Sequence, residues 1–278
     1  MEWREAAMAL SDEIREQRQK LKGQGAKAYL SYFWEYYRWP TVAVIAVAAM
    51  AISIVHSIAT NKPNAINAIF LNAANPELTR DSEWIDAPFA EYAGIDTEEY
   101  GLTIDTSSYI TPGGAASQME MGTTEKIMAY AAAQDLDVMT ADPYNFQNYA
   151  RNGMFVDLRT VLSAEQLEKY EPYFYYAESV VASGEDDLSA SEAASAEAEA
   201  AYVRQDAQEI IAQEQKDVYV APDPETMQNP VPIGVIMTDA PYLSSVNLYG
   251  NSVAVTGIIY SSPRQETALQ FLDYLWEH

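Results

Sequence analysis

One uncharged stretch near the N-terminus limits the fold more than any other feature of this sequence. Residues 41–59 read TVAVIAVAAMAISIVHSIA, 19 residues without a formally charged side chain. A helix of about 20 such residues crosses roughly 30 Å of hydrocarbon. We therefore expect a transmembrane helix at 41–59, with the lipid bilayer as its partner. A buried core helix and a cleaved signal peptide remain as alternatives, because Ser57 and Ala59 have the spacing that a signal peptidase accepts.

The flanks of this stretch predict its orientation. Segment 29–39, YLSYFWEYYRW, is rich in Tyr and Trp, which favour the headgroup region of a membrane. Several Lys and Arg residues precede the stretch, whereas Lys62 is the only basic residue within the twenty that follow it. We therefore expect a single-pass cell-membrane protein with a cytoplasmic N-terminal segment, 1–40, and an extracellular C-terminal domain.

The N-terminal segment has an apolar stripe at helical spacing, which predicts a short amphipathic helix. The stripe consists of Trp3, Ala7, Leu10, Ile14 and Leu21. Such a helix docks a partner, for example another membrane protein, or forms a self-associating coil, or lies on the inner membrane surface.

Composition excludes several functional classes. The 278 residues include 41 Asp and Glu against 16 Lys and Arg, a net charge of -25, so we expect no nucleic-acid partner. There is no Cys, and the only histidines are His56 and His278, so thiolate, Ser-His-Asp and multi-His metal chemistry are not expected. We expect no cofactor and no enzyme activity, while an envelope hydrolase that uses carboxylates stays open as a minor alternative.

Strand and helix patterns alternate in the domain 64–278, which predicts an α/β fold. We expect three layers, with a mostly parallel sheet flanked by helices. Asp142-Pro143 predicts a helix N-cap followed by the first helical residue. Strands are expected at 65–73, 100–110, 137–141, 217–221, 233–237 and 252–260, and helices around 84–92, at 123–134 and 164–176, and from Ser262-Pro263 to the C-terminus.

Residues 183–215 interrupt this pattern. The stretch is dominated by Ala, Glu, Ser, Gln and Asp and has few large apolar residues. Because it has little apolar surface to bury, we expect an exposed acidic insertion, part helix and part disordered.

Segment 135–162, DLDVMTADPYNFQNYARNGMFVDLRTVL, resembles the part of extracellular solute-binding proteins of ABC importers in which a strand ends at the ligand cleft. The ending SSPRQETALQFLDYL resembles their closing helix, and YYRWP before the apolar stretch resembles a group of uncharacterised bacterial single-pass proteins. The resemblance implies a periplasmic-binding-protein-like fold, here with a reduced second lobe. The positions that match the family pattern are Asp137, Tyr149, Ala150, Gly153, Asp157 and Leu158.

Candidate ligand contacts follow the strands, because open α/β sheets bind ligands beyond the carboxyl ends of their strands. For each there is also a purely structural interpretation. Asp142 caps a helix, Tyr144 packs in the core, and the Thr-Ser-Ser run is ordinary strand surface. The candidates are Asn72, Thr106, Ser107, Ser108, Asp142, Tyr144, Asp239 and Tyr242.

Two functions fit these patterns. The first is a non-catalytic, membrane-anchored surface module that binds a small molecule or a protein partner. The second is a structural or assembly component of a membrane complex that has lost ligand binding. A polar cleft lined by the candidate residues favours the first, and a sheet edge filled by its own side chains favours the second.

Protease added to intact cells should digest the extracellular domain and spare a fragment that contains residues 1 to about 60. The spared fragment is detected by mass spectrometry of the membranes. Recovery of the whole domain in the medium, with Thr60 as its first residue, would instead identify the apolar stretch as a signal peptide.

Overall fold

The structure is a computed structural model that describes residues 26–60, 62–113, 117–178 and 207–277. Within the first helix, it describes the side chains of Trp34 and of residues 38–56. The chain divides into two compact units, Met1–Asn61 and Lys62–His278. The predicted amphipathic helix near the N-terminus and residues 183–206 of the acidic stretch lie outside the described residues.

Helix α1 spans Ala26–Thr60, 35 residues that include Pro40. The aromatic segment 29–39 and the predicted span are therefore parts of one helix. Its window Arg38–His56 has a mean hydropathy of 1.9, is long and apolar enough to cross a membrane, and is not buried at all. This lack of burial contradicts the core-helix interpretation, whereas a membrane span and a signal sequence both still fit.

The second unit contains six strands and seven further α-helices among its described residues. In chain order they are β1 (Asn64–Phe70), α2 (Glu83–Ala93), β2 (Gly101–Asp105), α3 (Gln118–Ala132), β3 (Val138–Ala141), α4 (Pro143–Arg151), α5 (Ala164–Tyr170), β4 (Phe174–Glu178), α6 (Ala207–Gln213), β5 (Pro230–Ile236), α7 (Pro241–Val246), β6 (Val255–Ile258) and α8 (Gln265–Glu277).

The strands form one sheet in the order β2-β1-β3-β6-β5-β4. Strand β1 is parallel to both β2 and β3, whereas the pairs β3–β6, β6–β5 and β5–β4 are antiparallel. Strands β1, β2, β3 and β5 therefore run in one direction, and only β4 and β6 oppose them. The predicted α/β fold with a mostly parallel sheet is confirmed in this sense.

Helices cover both faces of the sheet, because alternate side chains of each strand point to opposite sides. Ile66 and Phe70 of β1 pack in one core with residues of α2, α7 and α8, where the rings of Phe89 and Phe271 lie 4.7 Å apart. Ile69 packs in a second core with residues of α3 and α4. The predicted three-layer arrangement is confirmed.

Two glycines let α4 approach the sheet closely through Phe146. A Cβ atom added to Gly234 would lie 2.6 Å from Cζ of Phe146, and one added to Gly257 would lie 2.8 Å from the same atom. The Phe146 ring also stacks on Phe155 at 4.1 Å between centroids. The missing methyl groups of β5 and β6 therefore set the height of α4 above the sheet.

A buried carboxylate holds the N-terminal end of β3. Asp137 is fully buried and accepts hydrogen bonds from the backbone N–H of Asn67 at 2.7 Å, from Ser262 Oγ at 2.6 Å and from Arg264 Nε at 2.8 Å. Arg264 also pairs with Asp135 at 2.9 Å. These contacts join β1, β3 and the residues that precede α8.

Several predicted elements differ in the structure. The strand predicted at 100–110 ends at Asp105, and the helix predicted at 123–134 begins at Gln118. No strand forms at 217–221, where Val218 and Val220 are 56% and 84% exposed. The helix predicted at 164–176 ends at Tyr170, and its last residues belong to β4. The terminal helix begins at Gln265, two residues after the predicted start at Pro263.

The end of the acidic stretch is folded and partly buried, although the sequence predicted an exposed insertion as far as residue 215. Helix α6 begins at Ala207, and the side chain of Ile210 is 4% exposed. Glu214 is 6% exposed, and Gln215 forms an antiparallel bridge with Ser252. The composition of the stretch predicted exposure because it is mostly polar. The burial of one apolar side chain, Ile210, is not visible in an average over the stretch.

Replacing Ile210 by Ala should lower the free energy of unfolding by about 2 to 4 kcal/mol, since it removes a buried apolar side chain. The matched control Val220→Ala, at an 84% exposed position, should change it by less than about 0.5 kcal/mol. Urea denaturation of the full chain in detergent measures both. Equal effects would show that α6 does not pack in the domain.

Candidate functional site

Asp142 lies between the last residue of β3, Ala141, and the first residue of α4, Pro143. Its Oδ1 accepts a hydrogen bond from the backbone N–H of Asn145 at 3.0 Å, and Pro143 is the first helical residue. Pro is well placed there because a first-turn N–H has no partner within the helix. The predicted N-cap is confirmed.

Two amide side chains surround the Asp142 carboxylate. Asn72 Nδ2 donates to Asp142 Oδ2 at 2.7 Å, and Asn145 Nδ2 donates to the same oxygen at 2.9 Å. Both amides also donate to the carbonyl of Ile110, at 2.7 and 3.0 Å, and Asn72 Oδ1 accepts from the Ile110 N–H at 2.8 Å. We call Asn72, Ile110, Asp142 and Asn145 the amide cluster. It fills the sheet edge at which a ligand was predicted.

Ser107 and Ser108 bind the carboxylate of Asp105. Ser107 donates to it through its N–H at 2.8 Å, and Ser108 donates through its hydroxyl. Lys126 forms an ion pair with Asp105 at 2.5 Å. Although burial opposes it, these contacts, led by that of Lys126, lower the pKa of Asp105 to about 2. Both serines therefore have a structural partner, and the carbonyl of Ser108 accepts the N–H of Asn72 at 3.0 Å.

The remaining candidate ligand contacts lie in different parts of the domain. The Thr106 hydroxyl donates to the Leu78 carbonyl at 3.1 Å, and Asp239 is exposed. Tyr242 lies among aromatic side chains of the first core, with its ring 6.1 Å from Trp84 and 5.0 Å from Tyr274. The structure thus brings Asn72, Ser108 and Asp142 together but does not assemble the eight residues into one cleft.

A separate open pocket of about 370 Å³ begins at Tyr144. Small-molecule sites in proteins measure roughly 300–1,000 Å³. Its walls come from the start of α4, from β4, from α6 and from the segment that follows α6. The lining residues are Pro143, Tyr144, Gln147, Tyr175, Ile210, Gln213, Glu214, Val218, Tyr219, Val220 and Pro222.

Glu214 joins this pocket to α4. Its Oε1 accepts the backbone N–H of Tyr144 at 2.5 Å, a first-turn N–H that α4 itself leaves without a partner. Burial and, after it, the charge of Asp142 raise the pKa of Glu214 to about 8, and the Tyr144 N–H partly opposes them. Sequence reasoning missed Glu214 because it lies in the acidic stretch, although Ile210-Ile211 nearby was a signal of packing.

Asp142 and Glu214 compete for negative charge. Burial raises the pKa of Asp142 as well, but hydrogen bonds from Asn145 and Asn72 oppose this effect. Because N–H groups on two residues bind Asp142 and a single backbone N–H binds Glu214, we assign the charge to Asp142 and the proton to Glu214 at neutral pH. The pair is therefore an acid beside a carboxylate.

Metal binding has no support in the described part of the chain, where no three or more His, Asp or Glu residues form a group that could hold an ion. Basic residues are likewise missing from the described lining of the pocket.

Comparisons with known proteins add little to this geometry. No family model matches the sequence, and no curated protein is significantly similar to it. Among solved structures, the chain is similar to a Synechococcus sp. MITs9220 protein that carries the provisional name oligosaccharide periplasmic-binding protein. The two share 12% identity over 75% of this chain and 73% of that chain, with a TM-score of 0.33. A similarity of this size carries no argument, so the resemblance to solute-binding proteins stays a prediction.

Stability should fall as the pH rises from about 4.5 to about 8, because unfolding returns Glu214 from its raised pKa to its ordinary one and so releases its proton. Glu214→Gln should remove that part of the pH dependence, which amounts to a few kcal/mol. The control Glu209→Gln changes an exposed Glu of α6, five residues before Glu214, and should retain this pH dependence. Urea denaturation at several pH values measures the effect, and parallel curves for the parent and Glu214→Gln would contradict it.

Proposed function

We propose that the protein is a membrane-anchored surface module whose α/β domain binds a small molecule without chemical change. In this proposal α1 crosses the cell membrane with the N-terminal segment inside, and the domain lies outside. The observation that carries the binding proposal is the pocket at Tyr144, because three separate parts of the chain converge to form it.

The lining of the pocket contains the residue types that are typical of small-molecule sites. Tyr175 and Ile210 are buried at its base, and Gln147 and Gln213 add hydrogen-bonding groups. Small-molecule sites are mostly apolar and aromatic, with a few polar groups that fix the ligand. The lining of the pocket begins at Pro143, two residues after β3 ends, next to the sheet edge that the amide cluster fills.

Membrane anchoring is supported by α1 itself. All described apolar side chains in its window Arg38–His56 are exposed, which in water would leave a large hydrophobic surface uncovered. A bilayer would cover that surface. The excess of basic residues before the window supports a cytoplasmic N-terminus.

A role as a structural or assembly component of a membrane complex is the second candidate. The amide cluster favours it, because Asn72 and Asp142, both predicted as candidate ligand contacts, form a hydrogen bond with each other. Asp142 and Glu214 also form the carboxylate pair that a hydrolase would need, but the hydrogen bonds from Asn72 and Asn145 commit Asp142 to the fold.

The test is a thermal-shift screen of the full chain in a nonionic detergent against sugars, amino acids, amines and short peptides. At a concentration of 100 Kd, a ligand stabilises the folded state by about 2.7 kcal/mol. Gln213→Trp, which places a large ring at the pocket, should abolish the shift. Gln208→Trp, at another exposed position of α6 that does not line the pocket, should retain it.

Two results would contradict the proposal. If no compound raises the melting temperature, or if the shift survives Gln213→Trp, the pocket is not a ligand site. In either case, crosslinking in cells tests the assembly role. Recovery of a stable complex with another membrane protein would establish that role instead.

A further inference from the structure

The charge around the Tyr144 pocket selects among ligands. Glu214 lines the pocket as an acid that can ionise, the ionised Asp142 lies behind it, and no described lining residue is basic. The sequence after residue 59 adds to this field, with nine basic side chains against 35 acidic ones. An anion entering the pocket would be repelled, and a cation would be attracted.

The aromatic and apolar side chains of the pocket suit the carbon part of a cation. Three of its lining residues are the tyrosines Tyr144, Tyr175 and Tyr219, and aromatic rings attract organic cations through their electron-rich faces. Val218 and Val220, also in the lining, are 56% and 84% exposed. Contact with the methyl or methylene groups of a ligand would remove this apolar surface from water.

We infer that the pocket takes a small organic cation, an alkylammonium compound whose nitrogen pairs with the Glu214 carboxylate and whose carbon atoms contact the tyrosines and valines. The inference rests on the proposed function and names the ligand class of the same site. Polyvalent anions, nucleotides and acidic peptides are excluded by it.

Binding should be linked to the loss of one proton. Glu214 holds a proton at neutral pH, and a cation favours its ionised form, so binding releases that proton to solvent. Asp142 is the charged group that acts on Glu214, and the other titratable groups in the described lining of the pocket are the phenols of Tyr144, Tyr175 and Tyr219. Asp142 is already ionised in this assignment, which leaves Glu214 as the source of the proton.

Calorimetric titration of the full chain in a nonionic detergent tests the inference with choline and putrescine as probes. Dimethylbutanol, the neutral carbon isostere of choline, and butanediol are the matched neutral compounds. The cations should bind at least about tenfold more tightly than their neutral counterparts. Their affinity should rise by up to about tenfold per pH unit below about pH 8. Buffers with different ionisation enthalpies should report release of one proton.

Glu214→Gln should weaken binding of the cations by at least about tenfold and remove its pH dependence, since Gln retains the acceptor for the Tyr144 N–H but not the charge. Glu209→Gln, on α6 and outside the pocket lining, should bind the cations as the parent does. Circular dichroism confirms that both variants are folded.

The outcomes separate this inference from the proposed function. Equal binding of cations and neutral isosteres, an unchanged Glu214→Gln variant, or no binding of either cation overturns the cation inference. If the thermal-shift screen then finds a neutral ligand whose effect Gln213→Trp abolishes, the proposed function stands without it. If the screen finds none, both fail.

Discussion

Buried negative charge at the two ends of β3 is the constraint on which the domain depends. A carboxylate that leaves water costs several kcal/mol unless its oxygens receive hydrogen bonds or ion pairs. Asp137 receives Arg264 and a β1 backbone N–H, and Asp142 receives the side-chain amides of Asn72 and Asn145. Each carboxylate therefore holds several segments around the central strand β3. Asp142 also fixes the start of α4, where the lining of the pocket begins.

The elements that local signals specify were predictable. The apolar run of β1, the run of β3 and the Asp142-Pro143 start of α4 each depend on residues a few positions apart. The segment 217–221 shows where such signals fail, because DVYVA has the β-branched alternation of a strand yet pairs with none. Its valines lie on the rim of a pocket, and no local pattern distinguishes a rim from a strand. The antiparallel half of the sheet likewise depends on pairings between distant segments.

The site was predictable residue by residue but not as an arrangement. Asn72 and Asp142 were both correctly placed after strands, but they are 70 positions apart, and the sequence did not show that they would satisfy each other. Glu214 is also 70 positions from its partner Tyr144. Its surroundings of Ala and Glu indicated solvent exposure, whereas both Glu214 and Ile210, four residues before it, are buried.

The glycines beneath Phe146 give the pocket a source of variation that lies outside its own lining. Gly234 and Gly257 are in strands and do not line the pocket, yet a larger residue at either position would force a shift of the surrounding side chains, among them Phe146 of α4. Tyr144 and Gln147 are on the same helix as Phe146 and would move with it. Substitutions at these two strand positions could therefore change the shape of the pocket while every residue of its lining stays the same.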